Sequence, residues 1–332
     1  MQSTSVFQHS ARLHLESAKC CCCAVDDSEP VGVGEDFEYR TSNTTFLMVR
    51  CLRCGLLFLN PRPSEAELGR IYPDNYHAFA FDEAKFGLIH QVRQRLESKR
   101  LLGFARGLPG PIKVLDVGCG DGFHLKLLKD FGPSNWQLEG VDTDARAIQA
   151  AQRHRLTVHQ GKLESIGLDS EKYDLVLMIM TIEHLYQPLD TLKEVFRVLK
   201  TGGRLVIVTD NAGSPDFKIF QGRHWGGYHF PRHTFLFDRH TLGRTVSRSG
   251  LEIESIRSAM SPVNWVYSMR NWIDDWGGPL WVVNRLSLES PIALAAGMLF
   301  DVGWTTLGMG AILHGSFRKP SKSTNAVRDT AS

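Results

Sequence analysis

Short β-branched apolar runs that alternate with helical segments constrain the fold of this chain more than any other feature. The clearest helical segment is 189–200, whose apolar residues share one face before Gly202 and Gly203 end it. The predicted strands are 113–117, 136–141, 157–160, 173–180 and 204–209. Such alternation is typical of βαβ units, whose parallel strands are covered by helices on both faces. The sequence therefore predicts a doubly wound, mostly parallel α/β sheet.

A glycine-rich turn follows the first of these strands, in the sequence VLDVGCGDG that ends at Gly122. Gly118 and Gly120 let the backbone turn tightly and approach a ligand closely, and the next helix begins with free N–H groups. Phe123 stands where the dinucleotide motif G-x-G-x-x-G needs its third glycine, which argues against a dinucleotide. Taken alone, the turn could be only a tight connection between a strand and a helix.

Acidic residues support a ligand site at the same edge of the sheet. The second strand ends at Asp142, where a carboxylate can accept hydrogen bonds from both hydroxyls of a ribose. Open α/β sheets bind ligands at the carboxyl ends of their strands. Residues near such ends are Asp116, Asp142, Leu163, Met180 and Asp210. Agreement across several strands therefore predicts a nucleotide-like ligand.

The order of these motifs resembles that of class I S-adenosylmethionine-dependent methyltransferases. The matching segments lie within about residues 95–258 and are 116–122, 141–142, 161–164, 173–176 and 199–203. The resemblance implies that S-adenosylmethionine lies with its methionine end at the glycine turn, its ribose on Asp142 and its adenine beyond. The implied cofactor contacts are Asp116, Gly118, Gly120, Asp142, Thr143, Lys162, Leu163 and Met180. It also implies a Rossmann-like sheet of seven strands with an antiparallel last strand at 310–318.

Six of the seven cysteines lie between residues 20 and 54. The first 18 residues contain no apolar signal segment, so the cytoplasm is expected, and reduced cysteines there favour metal over disulfides. The pairs Cys20/Cys23 and Cys51/Cys54 predict a structural four-cysteine Zn²⁺ site, with a hairpin at 38–41 and 45–49 between them. The run of four cysteines leaves the register of the first pair open, and a reduced, metal-free cluster is the alternative.

Segments 51–63 and 72–76 are similar to a narrower group of bacterial methyltransferases that carry an N-terminal zinc ribbon, often associated with sugar or surface-glycan biosynthesis. This similarity implies methyl transfer to a small or lipid-linked acceptor, a sugar hydroxyl in glycan or secondary-metabolite biosynthesis. The alternatives are an RNA methyltransferase and a non-catalytic, cofactor-binding scaffold. The net charge of +2 argues against a nucleic-acid partner.

Two histidines are predicted to take part in the chemistry. Methyl transfer is an in-line displacement that mainly requires alignment, but a hydroxyl acceptor also needs a base. His184 follows the fourth strand, and His233 ends the loop 223–233, where it resembles a histidine of the zinc-ribbon methyltransferases. Tyr76 is predicted to close the pocket from the other side. The alternatives are that Glu183 and His184 only hold a loop in place and that the loop is a structural lid.

The domain boundaries follow from these patterns. Predicted are a mobile tail at 1–18, the zinc ribbon at 19–60, a helical linker or substrate lid at 61–108, the cofactor-binding core at 109–260, a helical insertion at 261–308, the last core strand at 309–320 and a tail at 321–332.

The insertion holds five of the seven tryptophans, and its apolar run is too short to span a bilayer. It predicts peripheral membrane contact that admits an amphiphilic acceptor, so that the cytoplasmic protein is membrane-associated. The alternative is a cap that buries its tryptophans on the enzyme or in a dimer.

Overall fold

The computed structural model describes residues 12–73, 76, 87–287 and 290–321, and for 87–93 it describes the backbone alone. The first eleven residues and most of the predicted C-terminal tail lie outside this part of the chain.

The cysteine-bearing segment forms small antiparallel sheets. Its strands are β1 (Leu15–Glu16), β2 (Ser28–Gly34), β3 (Phe46–Cys51), β4 (Leu57–Leu59) and β5 (Arg62–Pro63). Strand β3 pairs with both β2 and β4, and β1 pairs with β5. The predicted tail is wrong for residues 12–18, because β1 is paired and both Leu13 and Ala18 are buried.

The predicted first arm of the hairpin, 38–41, is also wrong, whereas the second arm agrees with β3. Strand β2 supplies the first arm, ten residues earlier. Residues 38–41 instead belong to a turn around the buried carboxylate of Asp36, which accepts hydrogen bonds from the backbone N–H groups of Tyr39 and Thr41 at 3.0 and 2.9 Å. Local hydrogen bonding to an aspartate favours such a turn over a strand.

Two helices connect this segment to the central sheet, α1 (Leu68–Ile71) and α2 (Gly87–Phe104). The remaining strands are β6 (Lys113–Val117), β7 (Gln137–Asp142), β8 (Thr157–Gln160), β9 (Tyr173–Ile179), β10 (Leu199–Asp210), β11 (Phe235–Leu236), β12 (Glu252–Ala259) and β13 (Ile312–Arg318). The remaining helices are α3 (Phe123–Phe131), α4 (Ala145–Arg153), α5 (Leu163–Ile166), α6 (Pro188–Val198), α7 (Pro215–Phe220), α8 (Arg239–Ser247), α9 (Val263–Asp275), α10 (Leu280–Arg285) and α11 (Pro291–Thr306).

The central sheet of the described chain has seven strands in the order β12-β13-β10-β9-β6-β7-β8. Strand β13 runs antiparallel to both of its neighbours, and the other pairs are parallel. The predicted doubly wound sheet and its antiparallel last strand are therefore confirmed. Strand β10 begins at Leu199, so the preceding helix ends two residues earlier than predicted.

Hydrophobic packing covers both faces of this sheet. All seven residues of β9 are buried, as expected for a central parallel strand. One face packs against Leu192 and Val195 of α6 and Val246 of α8. The opposite face packs against Leu101 of α2 and Leu128 of α3. This sandwich fixes the strand ends at which the predicted site residues lie.

The cysteine-bearing segment is joined to the core through a shared sheet. Strand β11, from the loop region after β10, pairs antiparallel with β4 to give the order β11-β4-β3-β2. Phe46 and Met48 of β3 also pack in one apolar cluster with Trp225 and Tyr228 of that loop. The N-terminal segment and the loop after β10 therefore form one packed unit.

The insertion is helical, as predicted, and consists of α9, α10 and α11. Trp265 is buried, and its ring stacks on Phe300 with centroids 5.7 Å apart. In contrast, Trp276 and Trp281 are 73% and 69% exposed. Within the described part of the chain, the insertion therefore does not bury these two side chains. Among the described residues no helix is long and apolar enough to cross a membrane.

Candidate active site

The glycine turn between β6 and α3 has a backbone that only glycine adopts without strain. Gly118 and Gly122 have φ angles of 75° and 81°. A Cβ atom on Gly118 would lie 2.6 Å from the side chain of Thr181. The backbone N–H of Gly118 donates to the carbonyl of Val141 at 2.8 Å, which holds the turn across the end of β7. The predicted need for glycine thus has a steric and a conformational cause.

Asp142 connects the glycine turn to the following helix. One carboxylate oxygen accepts the N–H of Gly120 and the other accepts the N–H of Asp144, each at 2.9 Å. Burial, together with the charges of Asp144 and Asp116, raises the pKa of Asp142. An ionised carboxylate has about four acceptor positions, so two remain for the hydroxyls of a bound ligand.

Asp116, at the end of β6, is 1% exposed, and within the described chain neither of its carboxylate oxygens accepts a hydrogen bond. The nearest basic group is Nδ1 of His124, 3.7 Å from Oδ2, too far for a hydrogen bond. A buried carboxylate without donors is costly. A cationic ligand group in hydrogen-bonding distance would remove that cost.

The other predicted cofactor residues follow the ends of β7, β8 and β9. Thr143 is exposed beside Asp142, Leu163 is buried at the start of α5, and Met180 is 40% exposed directly after β9. Lys162 forms an ion pair with Glu65 of the N-terminal segment. The structure therefore brings all predicted cofactor residues to one edge of the sheet and adds Glu65, which the sequence did not indicate.

A second group of side chains lies beyond β9 and comes from three separate segments. The rings of His184 and His233 have centroids 4.6 Å apart. His229 lies 5.0 Å from His233, and Tyr76 lies 6.0 Å from His229, again between ring centroids. The three predicted catalytic residues are thus neighbours, although 157 positions of sequence separate the first from the last.

Tyr72 belongs to the same group and was missed as a site residue. Its hydroxyl forms a 2.9 Å hydrogen bond with Nδ1 of His184, and its ring packs edge-on against Tyr76 with centroids 4.9 Å apart. The segment 72–76 was noted for its similarity to the zinc-ribbon methyltransferases. That similarity was the available signal, but nothing in the residues around Tyr72 distinguishes it from Tyr76 as a site residue.

Glu183 lies beside the histidines and is 0% exposed. Its Oε2 accepts a hydrogen bond from the hydroxyl of Thr209 at 2.9 Å, while Oε1 has no partner among the described residues. Burial and the nearby Asp210 raise the pKa of Glu183 to about 8. Burial likewise raises the pKa of Asp210 to about 7. From the sequence, Glu183 was predicted only as a residue that could hold a loop in place.

His233 has a defined tautomer. Its Nδ1 lies 2.8 Å from the carbonyl oxygen of Gly227. A carbonyl only accepts, so Nδ1 carries the proton and the neutral ring has its lone pair on Nε2. Burial, with the charges of His184 and His229, holds the pKa of His233 well below its usual value. The ring is therefore neutral at physiological pH.

Asp36 and Arg232 form a buried ion pair. It joins the cysteine-bearing segment to the loop 223–233, which we call the histidine loop. The guanidinium Nη1 and Nη2 lie 3.1 and 2.9 Å from the two carboxylate oxygens, and both side chains are fully buried. Burial alone would raise the pKa of Asp36, but the bonds to Arg232 lower it. The guanidinium also lies 4.5 Å from the ring centroid of Tyr39. The cysteine-bearing segment therefore packs directly beside the group of histidines.

Four cysteine sulfurs converge in the N-terminal segment. They belong to Cys20, Cys23, Cys51 and Cys54, and all lie within 4.8 Å of one another. This is the set chosen from the spacing, with Cys21 and Cys22 outside it. Four converging thiols suit tetrahedral Zn²⁺.

A family model described as a methyltransferase domain matches residues 88–256, which is half of the chain. The chain belongs to this methyltransferase family. It is an S-adenosylmethionine-dependent methyltransferase, as the motif order predicted. The matched residues run from α2 to β12, so the cysteine-bearing segment precedes them.

This methyltransferase is similar to several proteins of known name or structure. The ubiquinone biosynthesis O-methyltransferase of Cereibacter sphaeroides is 26% identical over 206 residues, which cover 56% of this chain and 82% of that protein. A probable S-adenosylmethionine-dependent methyltransferase of Mycolicibacterium smegmatis is 31% identical over 100 residues, 30% of this chain and 38% of that one. The structure of geranyl diphosphate C-methyltransferase from Streptomyces coelicolor has 15% identity and a TM-score of 0.48, covering 69% of this chain and 78% of that chain.

The edge of the sheet fits S-adenosylmethionine. The methionine part of the cofactor carries an ammonium group, which is the kind of cation that the unpartnered carboxylate of Asp116 requires. Asp142 has acceptor positions for the ribose hydroxyls, and it also holds the glycine turn at the end of β7 by accepting the N–H of Gly120. The acceptor chemistry of the site thus suits the ammonium group and the ribose of the cofactor.

Proposed function

We propose that this methyltransferase transfers a methyl group to an oxygen of a small or lipid-linked acceptor, with a sugar hydroxyl in glycan or secondary-metabolite biosynthesis as the acceptor class. The observation that carries the proposal is the cluster of His184, His233, Tyr72 and Tyr76 directly beyond β9. We propose that this cluster lines the acceptor site, which we call the histidine pocket. It lies next to the strand ends at which the cofactor site is proposed.

The reaction forms a carbon–oxygen bond and breaks the carbon–sulfur bond of the sulfonium, whose electron pair remains on sulfur. The acceptor hydroxyl loses its proton. Alignment of the oxygen with the methyl group supplies much of the rate enhancement, and assistance in removing the proton contributes a further factor of about 10²–10⁴. We assign that assistance to His184 and His233, with Tyr76 closing the pocket above the acceptor.

Two features support an oxygen acceptor with a ring. The relative from Cereibacter sphaeroides is named an O-methyltransferase. The ring of Tyr76 packs against those of Tyr39 and Tyr72, with centroids 5.5 and 4.9 Å apart, so that apolar rings and polar hydroxyls lie together. Such surfaces suit the apolar face of a sugar, while the hydroxyls select its polar edge.

The four converging cysteines are proposed to hold a structural Zn²⁺. The N-terminal segment that they would crosslink carries Asp36, and Asp36 pairs with Arg232 of the histidine loop. Metal binding in such small segments contributes directly to folding. Zinc would therefore support the acceptor pocket without taking part in methyl transfer.

The acceptor can be identified by incubating the purified enzyme with methyl-labelled S-adenosylmethionine and fractionated cell extract. We expect label in the lipid or soluble-sugar fraction, and loss of that label with His233→Gln but not with His240→Gln, whose side chain is exposed on α8. Label in RNA would support the alternative of RNA methylation instead. Failure to bind S-adenosylmethionine in calorimetry would support the scaffold alternative.

The metal content of the same preparation tests the zinc proposal. We expect about one Zn²⁺ per chain to be bound by the cysteines, as is usual for four-cysteine sites. Cys54→Ser should lower that content, whereas Cys119→Ser, in the glycine turn and outside the cluster, should leave it unchanged. Equal zinc content in both variants would contradict the assignment.

A further inference from the structure

Glu183, His184 and His233 form a second group of converging ligand atoms, separate from the cysteines. One carboxylate oxygen and one nitrogen from each imidazole lie within 4.8 Å of one another. Two imidazoles and one carboxylate suit divalent cations such as Mn²⁺, Fe²⁺, Co²⁺ and Zn²⁺ and leave coordination positions open. The composition of this group is therefore that of a metal centre.

The carboxylate of Glu183 gives the independent observation. Its side chain is completely buried, and Oε1 has no hydrogen-bond partner among the residues described. Buried polar atoms of this kind are rare and need an explanation. A cation bound to Oε1 would satisfy the one oxygen that the protein leaves unpaired.

Each proposed ligand residue also forms a hydrogen bond through its other polar side-chain atom. His233 donates Nδ1–H to the carbonyl of Gly227, which leaves Nε2 for a cation. Nδ1 of His184 bonds to the hydroxyl of Tyr72, and Oε2 of Glu183 accepts from Thr209. Metal-binding histidines typically have such partners on their other nitrogen, which fix the tautomer and the ring direction.

The backbone also fixes the two ligand-bearing segments to each other. Thr234, directly after His233, donates its N–H to the carbonyl of Glu183 at 2.7 Å and its hydroxyl to the carbonyl of Leu185 at 2.7 Å. Strand β11 continues this connection by pairing with β4. The ligand group is therefore assembled before any cation binds, which lowers the cost of ordering it.

We propose that Glu183, His184 and His233 bind a divalent transition-metal cation in the acceptor pocket. Cation binding follows from the placement of these residues alone, whereas its role in methyl transfer rests on the proposed function. In that role the cation would act as a Lewis acid that lowers the pKa of the acceptor hydroxyl, and the proton would pass to solvent. The carbon–oxygen bond would then form as the carbon–sulfur bond of the sulfonium breaks, with the electron pair left on sulfur. Both histidines then act on the acceptor through the cation rather than as free bases.

Binding can be measured without any acceptor. The full-length enzyme, loaded with one equivalent of Zn²⁺ at the cysteines, is titrated with Mn²⁺, and free Mn²⁺ is followed by its electron paramagnetic resonance signal. Mn²⁺ prefers nitrogen and oxygen ligands, so it does not compete for the thiolates. A parallel titration with Co²⁺ is followed by visible absorption. We expect one further equivalent of each cation to bind.

Three variants locate the site. Glu183→Gln and His233→Gln should abolish measurable binding, and Tyr72→Phe, which only removes the bond behind His184, should weaken it about tenfold. His240→Gln should bind like the wild type. Retained binding of S-adenosylmethionine shows that each variant is folded.

The inference is overturned if the wild type binds neither cation beyond the cysteine site, or if His233→Gln binds as tightly as the wild type. In either case His184 and His233 return to the role of bases, and the proposed methylation of an oxygen stands unaffected. Conversely, cation binding without any labelled oxygen acceptor would keep this site and reject the proposed function.

Discussion

The cofactor edge and the histidine pocket are adjacent but are built in different ways. The glycine turn and Asp142 lie within 27 residues, and backbone hydrogen bonds connect them directly. The side chains of the histidine pocket come from the connection between α1 and α2, from the turn after β9 and from the loop after β10. Local backbone geometry therefore determines the first region, and long-range packing determines the second.

The largest effect expected from this difference is at the Asp36–Arg232 pair. Asp36→Asn leaves the buried guanidinium without its counter-charge, which typically costs about 3–5 kcal/mol. We expect that loss in the free energy of unfolding in urea, together with a fall in the rate of methyl transfer. The affinity for S-adenosylmethionine should change less than about threefold, about 0.6 kcal/mol.

Glu35→Gln is the matched control for this substitution. Glu35 lies 3.3 Å from Arg223, but its side chain is 45% exposed, so its ion pair should contribute less than about 1 kcal/mol. If Asp36→Asn weakened cofactor binding as much as it slowed transfer, the two regions would not be independent.

A substitution in the glycine turn is expected to have a smaller effect, and on the other region: it should weaken cofactor binding and leave the histidine pocket unchanged. Gly118→Ala places a Cβ 2.6 Å from Thr181 and forces alanine to a φ of 75°, a strain of about 1–3 kcal/mol. We expect the calorimetric dissociation constant of S-adenosylmethionine to rise about 100-fold. The hydrogen bond between Tyr72 and His184 should persist, so any cation bound in the pocket should keep its affinity.

Gly103→Ala controls for the loss of a glycine as such. Gly103 lies in α2, where an added Cβ has no neighbour within 4 Å, and helical alanine is more stable than glycine by about 0.5–1 kcal/mol. Unchanged cofactor affinity in Gly118→Ala would show that the turn does not approach the ligand.

The same difference explains what the sequence could predict. Periodicity located five of the seven strands of the central sheet of the described chain, and the family resemblance implied the antiparallel last strand. The glycine turn with Asp142 followed because neighbours in sequence build that site. Asp36 and Arg232 are 196 positions apart, and nothing in either neighbourhood indicates that they pair. Tyr72 and Glu183 were likewise not predicted as site residues, because only the fold shows that they lie beside the histidines.

Strand β2 shows why residue propensities did not predict the first arm of the hairpin in the cysteine-bearing segment. It contains Pro30, Gly32 and Gly34, residues that normally indicate a turn. Proline is tolerated because β2 lies at the edge of its sheet. Glycine is required because a Cβ at Gly32 would lie 2.2 Å from the hydroxyl of Tyr228. Close packing against the loop 223–233 therefore requires residues that normally indicate a turn. This tertiary effect is the reason why the strand could not be predicted from its residues.

The smallest expected effect concerns the insertion, where exposed apolar side chains lie apart from both regions. Besides Trp276 and Trp281, the side chains of Leu280, Ile292 and Leu299 are 71–80% exposed. The predicted membrane contact implies that these side chains enter the lipid interface. Trp276→Gln with Trp281→Gln should then lower the partition coefficient on flotation with anionic liposomes about tenfold, a change of about 1.4 kcal/mol, because side chains in the lipid interface lose only part of their exposed area.

Leu96→Gln is the control for this experiment, because Leu96 is 63% exposed on α2, outside the insertion. It should not change flotation, and none of these surface substitutions should change stability by more than about 0.5 kcal/mol. A wild-type protein that stays wholly with the soluble fraction would reject membrane contact. A dimer that sediments as a monomer after the tryptophan substitutions would instead assign this surface to a second copy of the chain, because the same exposed area would then be buried between protomers.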